Sequence, residues 1–117
     1  MTPFGEKLRS LRAARRISAK QLASDLHISS AYLSALEHGK RGRPAANFVR
    51  QIADYFLLGW EEAEELEHLA RRSHPRVVVD TSGLSAKHTE LANALAERIR
   101  ELDDEQVVSL LARLAAR

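Results

Sequence analysis

Apolar residues recur every three or four positions along most of the chain, the spacing that places side chains on one face of an α-helix. Seven such segments are separated by turn-forming residues, so the sequence predicts an all-α protein. Thr2 and Pro3 suit the cap and first position of the first helix, and Pro44 suits the first position of the fourth. The fifth helix is expected to run roughly from Trp60 to Arg72. The run Val77–Val79 departs from this spacing, because β-branched residues between turn formers predict either a short strand or an extended linker.

Polar residues mark where other helices begin and end. Ser18 and Gln21 have the spacing of a capping box, in which each side chain satisfies a backbone N–H of the other residue. Ser29 is placed to cap the third helix and Asp103 the seventh. Gly39 is expected to end the third helix in the left-handed conformation.

Composition argues against several kinds of chemistry. The chain has no cysteine, which excludes disulfides, thiol nucleophiles and cysteine-bound zinc. Glu64 and His68 share a helix face, but no third metal ligand accompanies them, and the sequence contains no Gly-rich phosphate loop and no nucleophile elbow. We therefore expect no metal, no cofactor and no enzymatic activity. No apolar run reaches the ~20 residues that span a bilayer and no signal-peptide core is found, so we expect a cytoplasmic protein.

Charge divides the chain into a basic half and an acidic half. Residues 1–59 hold ten cations and four acids, a net charge of +6, whereas residues 60–117 have a net charge of −4. This asymmetry predicts a unit that binds a polyanion beside a unit with another role. The plainer interpretation is a solvated surface with uneven charge.

The second and third predicted helices have a recognisable arrangement. Two short helices joined by a tight turn, here Ser18–Leu26 and Ser29–His38, are typical of the helix-turn-helix motif. From about Phe4 to Leu58 the sequence resembles the Cro/C1-type (Xre) helix-turn-helix family of phage and bacterial repressors. The segments that carry the resemblance are "LRSLRAARRIS", "QLASDLHIS", "YLSALEHGKR" and "IADYFLL". It implies a five-helix lambda-repressor-like bundle that binds double-stranded DNA.

The resemblance also implies which side chains contact DNA. Short polar side chains of the third helix would meet base edges, since a helix nearly fills the ~12 Å major groove. Cations near the motif would contact phosphates. The alternatives are that the serines and the cationic loop are merely solvated, and that the tyrosine ring packs against the preceding helix. The predicted base contacts are Ser29, Ser30, Tyr32 and Ser34, and the predicted phosphate contacts are Lys20, Gln21, Lys40, Arg41 and Arg43.

Arg12 and Glu37 align with positions that form a buried ion pair in several relatives. Such a pair would hold the first helix against the third. The alternative is two unrelated surface residues.

Three features depart from the family pattern. Ala19 replaces a glutamine that usually binds phosphate, which leaves the two residues after it as substitutes. His27 stands where the turn usually has glycine, so a positive φ there would be strained. The loop "GKRGRP" is about one residue longer than the commonest pattern, which changes the expected phosphate contacts of that loop.

The acidic second half is the expected dimerisation region. Its sixth helix has one apolar stripe, and its seventh helix is apolar on more than one side. Two helices packed only against each other cannot bury all of this apolar surface. Packing of four helices from two chains would bury these side chains; folding back onto the first bundle is the alternative. The expected division is a DNA-binding domain at 1–73, a linker or short strand at 74–84 and a helical dimerisation region at 85–117. The predicted dimerisation residues are Leu91, Leu95, Ile99, Leu102, Val107, Leu111 and Leu114.

Together these features predict a bacterial or phage-encoded, nucleoid-associated regulator, a homodimeric repressor that reads an inverted repeat. One alternative is an antitoxin or co-regulator whose second half binds a partner protein, either a toxin or another regulator. A non-specific nucleoid protein or an RNA-binding module is disfavoured, because modules that bind RNA loops usually display several stacking aromatic side chains.

Overall fold

The structure, a computed structural model, describes residues 1–40 and 44–116. Every regular element in these ranges is helical, which confirms the all-α prediction. The chain divides into two compact units, Met1–Val77 and Val78–Arg117. The α-helices are α1 Pro3–Ala14, α2 Ala19–Asp25, α3 Ser30–Glu37, α4 Ala46–Tyr55, α5 Trp60–Arg71, α6 Ala86–Arg98 and α7 Asp104–Ala115, and a short 3₁₀ turn spans Ile99–Glu101.

The first unit has one apolar core to which all five of its helices contribute. The core includes residues from the apolar stripes that the helical spacing predicted, such as Phe4, Leu22, Leu33 and Ile52. Each of these side chains is almost fully removed from water, which favours folding by about 1.5–3 kcal/mol for a large apolar side chain. The fully buried large side chains are Phe4, Leu8, Leu22, Leu33, Ile52, Phe56 and Leu66.

Buried Ser73 closes the bundle by joining its two ends. Its hydroxyl accepts a hydrogen bond from the backbone N–H of Phe4 at 3.0 Å and donates one to the Leu69 carbonyl at 2.6 Å. The Phe4 N–H lies in the first turn of α1 and has no partner within that helix. A side chain 69 residues away therefore satisfies a buried donor and holds the start of α1 against the end of α5.

Three of the predicted helix caps are confirmed and one is formed only in part. The hydroxyls of Thr2 and Ser29 accept from the N–H groups of Gly5 and Tyr32, and Asp103 forms a complete capping box. The hydroxyl of Ser18 accepts from the Gln21 N–H at 3.0 Å, but the Gln21 side chain donates to Asp25 instead of returning to Ser18. A carboxylate one turn along the helix accepts a charge-assisted hydrogen bond, which explains this preference.

Four helices end in a residue of the left-handed conformation. Gly39 was expected there and has φ of 72°, but Arg16, His27 and Leu57 adopt φ between 53° and 57° although they carry side chains. At each end two backbone hydrogen bonds close the last turn, as when the His27 and Ile28 N–H groups donate to the carbonyls of Ser24 and Ala23. These bonds and the apolar contact that follows them hold a conformation disfavoured by about 1–2 kcal/mol in a residue other than glycine.

The predicted start of the fourth helix was wrong. Pro44 was expected to open the fourth helix, but α4 begins at Ala46, because Ala45 is extended and its carbonyl accepts the first helical bonds from Phe48 and Val49. The fifth helix, predicted to run roughly from Trp60 to Arg72, spans Trp60–Arg71, and the Arg72 N–H closes its last turn as a cap.

The second unit consists of α6, the 3₁₀ turn and α7, and none of these elements contains a buried residue. Val77–Val79, where a short strand or an extended linker was predicted, lie in no helix and form no strand within the described residues. Exposed large apolar side chains in this unit are Val78, Val79, Leu84, Leu91, Leu95, Ile99, Val108, Leu110, Leu111 and Leu114.

Candidate nucleic-acid interface

Helices α2 and α3 form a helix-turn-helix whose turn spans residues 26–29. Ile28 is half-buried against the core, and His27 adopts the left-handed conformation that sequence analysis expected to be strained there. The Ser29 hydroxyl then caps α3 by accepting from the Tyr32 N–H at 3.0 Å. The turn is thus fixed by backbone hydrogen bonds on one side and by a side-chain cap on the other.

Helix α3 has a buried side and an exposed side. Leu33 and Leu36 lie in the core, whereas Ser30, Ala31 and Ser34 are exposed to solvent. Ser30 and Ser34 are one turn apart and so share the exposed face. This face carries two hydroxyl groups next to a methyl group, small enough to approach the floor of a major groove.

The hydroxyls of two predicted base-contact residues, Ser29 and Ser34, also lie within hydrogen-bond distance of other groups of the chain. The Ser29 oxygen accepts the capping hydrogen bond, which leaves its own O–H hydrogen to donate elsewhere. His38 Nδ1 lies 2.8 Å from the Ser34 carbonyl and 3.3 Å from the Ser34 hydroxyl oxygen. Because a carbonyl only accepts, Nδ1 carries the proton, and the Ser34 hydroxyl keeps its hydrogen for an outside acceptor.

Tyr32 lies at the edge of the exposed face and is half-buried. Its ring meets the Phe48 ring edge-on, with centroids 5.8 Å apart and planes at 65°. Sequence analysis considered packing against the preceding helix; this contact is with α4, which follows in the chain. The aromatic contact joins α3 to α4 at Tyr32. Such a contact contributes about 0.5–1.5 kcal/mol beyond the effect of the area that it buries.

Arg12 and Glu37 form an ion pair that ties α3 to α1. Arg12 Nε lies 3.1 Å from Glu37 Oε2, and Arg12 Nη2 lies 3.0 Å from Glu37 Oε1. The Glu37 side chain is 4% exposed and that of Arg12 is 21% exposed. A third bond, from Arg12 Nη1 to the Ile17 carbonyl at 3.2 Å, fixes the guanidinium to the chain that leads into α2.

Gly5 permits α1 to approach the end of α3 closely. A Cβ atom on Gly5 would lie 2.8 Å from the Glu37 carbonyl oxygen and would also overlap the Leu36 carbonyl oxygen. Contact between carbon and oxygen normally begins well beyond 3 Å, so any larger residue would push the two helices apart. Gly5 and the ion pair together set the position of α3 relative to α1.

The residues predicted to contact phosphates differ in their exposure and in their hydrogen-bond partners. Lys20 and Lys40 are exposed, Lys20 in the first turn of α2 and Lys40 just after α3. The side-chain amide of Gln21 donates to Asp25 Oδ1 at 2.7 Å, so one of its two N–H groups has a partner within α2. The predictions for Arg41 and Arg43 fall outside the described residues.

Asp25 also joins α2 to α4. Its Oδ2 accepts a hydrogen bond from the Tyr55 hydroxyl at 2.6 Å. The hydrogen bond to Asp25, and secondarily desolvation, raise the pKa of the Tyr55 phenol above its usual value of 10.0. Asp25 thus accepts hydrogen bonds from Gln21 within α2 and from Tyr55 on α4.

Sequence analysis missed several residues that position the site. Gly5, Asp25, His38 and Ser73 all orient or anchor the motif, yet each was absent from the predicted site. The Ser34–His38 and Gln21–Asp25 pairs have i,i+4 spacing on one helix, which is a usable sequence signal. The contacts of Gly5 and Ser73 join distant parts of the chain, and no local pattern announces them.

Comparison with known proteins identifies the class of this fold. A helix-turn-helix domain family matches residues 3–69, more than half of the chain and the whole of the α1–α4 arrangement described above. The chain belongs to this helix-turn-helix family, of the Cro/C1-type (Xre) kind that its sequence resembles.

Two curated relatives, both from Bacillus subtilis (strain 168), each match about half of the chain. The uncharacterized HTH-type transcriptional regulator RghRB is 43% identical over 61 residues, which cover 52% of this chain and 44% of the relative. The HTH-type transcriptional repressor RghR is 38% identical over 61 residues, which cover 52% of this chain and 45% of the relative. The match thus spans less than half the length of either relative. No solved structure matches the chain significantly.

Searches for other kinds of site in the described residues add two observations. Nowhere in residues 1–40 and 44–116 do three histidine or acidic side chains gather closely enough to hold a metal ion. None of the helices in this part of the chain has both the length and the apolar content to cross a membrane.

Proposed function

We propose that the chain is a homodimeric, sequence-specific repressor that places α3 of each copy in the major groove of an inverted repeat. The observation that carries the proposal is the exposed face of α3, where Ser30 and Ser34 point away from a helix fixed on its other side by Leu33, Leu36 and Glu37. The relative RghR is named as a transcriptional repressor, which supports the same role.

Base contacts and phosphate contacts fall to different residues in this proposal. Ser29, Ser30 and Ser34 offer hydroxyl groups that donate to or accept from base edges. Tyr32, whose ring is held by Phe48, presents its phenol at the edge of the same face. Lys20 and Lys40 on either side of α3, with Gln21, Arg41 and Arg43, contact phosphates and orient the helix without choosing the sequence.

The homodimer is supported by the second unit. Its 40 residues contain no buried side chain in any described helix, although Leu91 is 65% exposed and Leu114 is 78% exposed. A domain below about 40 residues rarely buries enough apolar surface to fold alone. Packing α6 and α7 against the same helices of a second copy buries the predicted stripe and sets two copies of α3 about 34 Å apart, one turn of DNA.

Selection from a random pool of double-stranded DNA tests sequence recognition. The full chain is incubated with the pool at near-physiological salt, and the bound molecules are sequenced. The expected result is enrichment of an inverted repeat whose half-sites are about one helical turn apart. Enrichment of a single half-site would contradict the dimer, and binding without enrichment would contradict base recognition by α3.

Light scattering of the full chain tests the homodimer independently. Leu95→Glu introduces a charge into the proposed apolar interface and is expected to give a monomer with weaker binding to the inverted repeat. Asn93→Glu, which adds the same charge to an exposed position on another face of α6, is the matched control and is expected to remain a dimer. A wild-type chain that is monomeric at micromolar concentration would contradict the proposal.

The exposed apolar side chains of α6 and α7 also favour a second candidate, in which a different protein covers them. The chain would then be an antitoxin or co-regulator whose first unit binds DNA while the second binds a toxin or another regulator. A monomeric chain that forms a one-to-one complex with the product of a neighbouring gene, and binds its operator only in that complex, would favour this candidate over the homodimer.

A further inference from the structure

Residues 76–80 begin at a bend, lie in no helix, and have no backbone hydrogen bond among the described residues. The segment contains three consecutive valines, and Val78 at its centre is 94% exposed. β-branched residues favour strands because they pack well on a pleated surface. An apolar segment whose N–H and C=O groups are unpaired becomes a template for pairing with another strand when it extends.

We propose that this segment pairs with the same segment of a second copy, as two antiparallel strands related by a twofold axis through Val78. The inference rests on the homodimer proposed above and adds a second contact to it. In this register Val78 lies opposite its own copy, and Val77 lies opposite Val79 of the partner.

Charge selects this register. Arg76 and Asp80 flank the three valines at equal distances, so antiparallel pairing about Val78 sets each Arg76 opposite the partner's Asp80. Opposite charges on facing residues of two strands stabilise the pair by about 0.2–1 kcal/mol each, and symmetry provides two such pairs. Moving the axis by one residue sets either Arg76 or Asp80 opposite Val78 of the partner, and both opposite-charge pairs are lost.

The two faces of the paired strands differ in character. Successive side chains of a strand alternate in direction, so Val77 and Val79 of both copies lie together on one face. Arg76, Val78 and Asp80 lie on the other face. Two strands alone are only marginally stable in water, and the pairing therefore strengthens and aligns a dimer that α6 and α7 hold together.

Asp80 is fixed at the end of the segment. Its Oδ1 accepts a hydrogen bond from the Ser82 N–H at 2.9 Å, and bonding to Ser82 holds the pKa of the carboxyl below its usual value. Asp80 is therefore negatively charged at neutral pH, as its pairing with the partner's Arg76 requires.

A single cysteine tests the register directly, because the chain has no cysteine of its own. Facing residues of antiparallel strands have Cα atoms about 4.5–5.5 Å apart, within the range that a disulfide spans. Val78→Cys is therefore expected to form a disulfide-linked dimer rapidly under mild oxidation. Val77→Cys is the matched control, because the two copies of residue 77 lie on a diagonal at about 7–8 Å, beyond that range.

Exchange of the flanking charges tests the same register without a cross-link. Arg76→Asp and Asp80→Arg each place like charges opposite one another twice, and each is expected to weaken dimerisation about tenfold or more in sedimentation experiments. The double variant restores both opposite pairs and is expected to regain the wild-type dissociation constant.

The oligomeric state of each variant separates this inference from the function on which it rests. A dimer in which Val78→Cys cross-links well and Val77→Cys poorly supports the strand pairing. A dimer whose two cysteine variants cross-link alike, or whose double charge variant is not restored, overturns the pairing and leaves the homodimer intact. A monomeric wild-type chain overturns both.

Discussion

The guanidinium of Arg12 holds both carboxylate oxygens of Glu37, with Nε–Oε2 and Nη2–Oε1 distances of 3.1 Å and 3.0 Å. The pair joins α1 to the last residue of α3, the helix proposed to enter the major groove. Glu37 is buried and Arg12 is partly buried. Removing Arg12 would leave a buried carboxylate unpaired, and this cost is larger than the net stabilisation that the intact pair contributes.

Arg12→Ala is expected to lower the free energy of unfolding by about 3–5 kcal/mol, because it leaves a buried carboxylate without its partner. Chemical denaturation measures the change. Arg9→Ala removes an exposed cation from the same helix and is expected to stay within about 0.5 kcal/mol of the wild type. Replacing both Arg12 and Glu37 by methionine is expected to recover most of the loss. A double variant as unstable as Arg12→Ala would contradict this account.

Gly5→Ala is expected to destabilise the first unit by about 1–3 kcal/mol, because its methyl group would overlap the carbonyl oxygens of Leu36 and Glu37. Thermal denaturation checks this, since the midpoint is expected to fall by several degrees. Gly59→Ala is the control: no atom lies within 4 Å of a Cβ there, and its φ of −70° suits any residue. Equal effects of the two substitutions would show that backbone entropy, and not the close approach, determines the result.

His27→Gly is expected to raise the free energy of unfolding by about 0.5–1 kcal/mol, because glycine adopts the φ of 57° in the turn without steric cost. His27→Ala keeps the strain and loses only the imidazole, so it is expected to give no such gain. The two variants are compared by urea denaturation. Stabilisation by alanine equal to that by glycine would attribute the effect to the side chain and not to the backbone.

Tyr55 is expected to ionise above pH 10, because its hydrogen bond to Asp25 raises the pKa of the phenol. Because the pKa of Tyr55 is raised in the folded state, its hydrogen bond to Asp25 stabilises the fold below about pH 10. This stabilisation is lost as the pH rises through the folded-state pKa. In Tyr32→Phe the phenol of Tyr55 is the only one left, and its absorbance change with pH gives the midpoint. Adding Asp25→Asn is expected to lower that midpoint; an unchanged midpoint would assign the shift to another cause.

Ser34→Ala and Lys40→Ala are expected to affect DNA binding differently. The first is expected to relax preference at one base pair, by about 1 kcal/mol or more. Lys40→Ala is expected to weaken binding to all DNA sequences equally. It is also expected to reduce the magnitude of the slope of log K against log salt concentration by about one unit. Fluorescence anisotropy at several salt concentrations, with the selected site and with a scrambled site, measures both quantities. A change of sequence preference in Lys40→Ala with an unchanged slope would contradict the assigned roles.

Much of the first unit was predictable because it depends on contacts close in sequence. The caps at Thr2, Ser29 and Asp103 use a side chain and an N–H three residues apart, and helical spacing identifies the buried apolar residues. The left-handed conformation of His27 likewise follows from the short turn between α2 and α3. Local patterns therefore determined the helices and the motif, and the resemblance that they carry determined the family.

Tertiary structure alone decided how those helices fit together. The Phe4–Ser73 hydrogen bond and the approach of Gly5 to α3 depend on where distant segments cross. The same holds for Tyr32, whose ring meets Phe48 on α4, and for Asp25, whose carboxylate holds both Gln21 and Tyr55. The amino-acid pattern states which side of a helix is apolar, but a polar side chain has several possible partners, and only packing in three dimensions determines which one lies within hydrogen-bond distance.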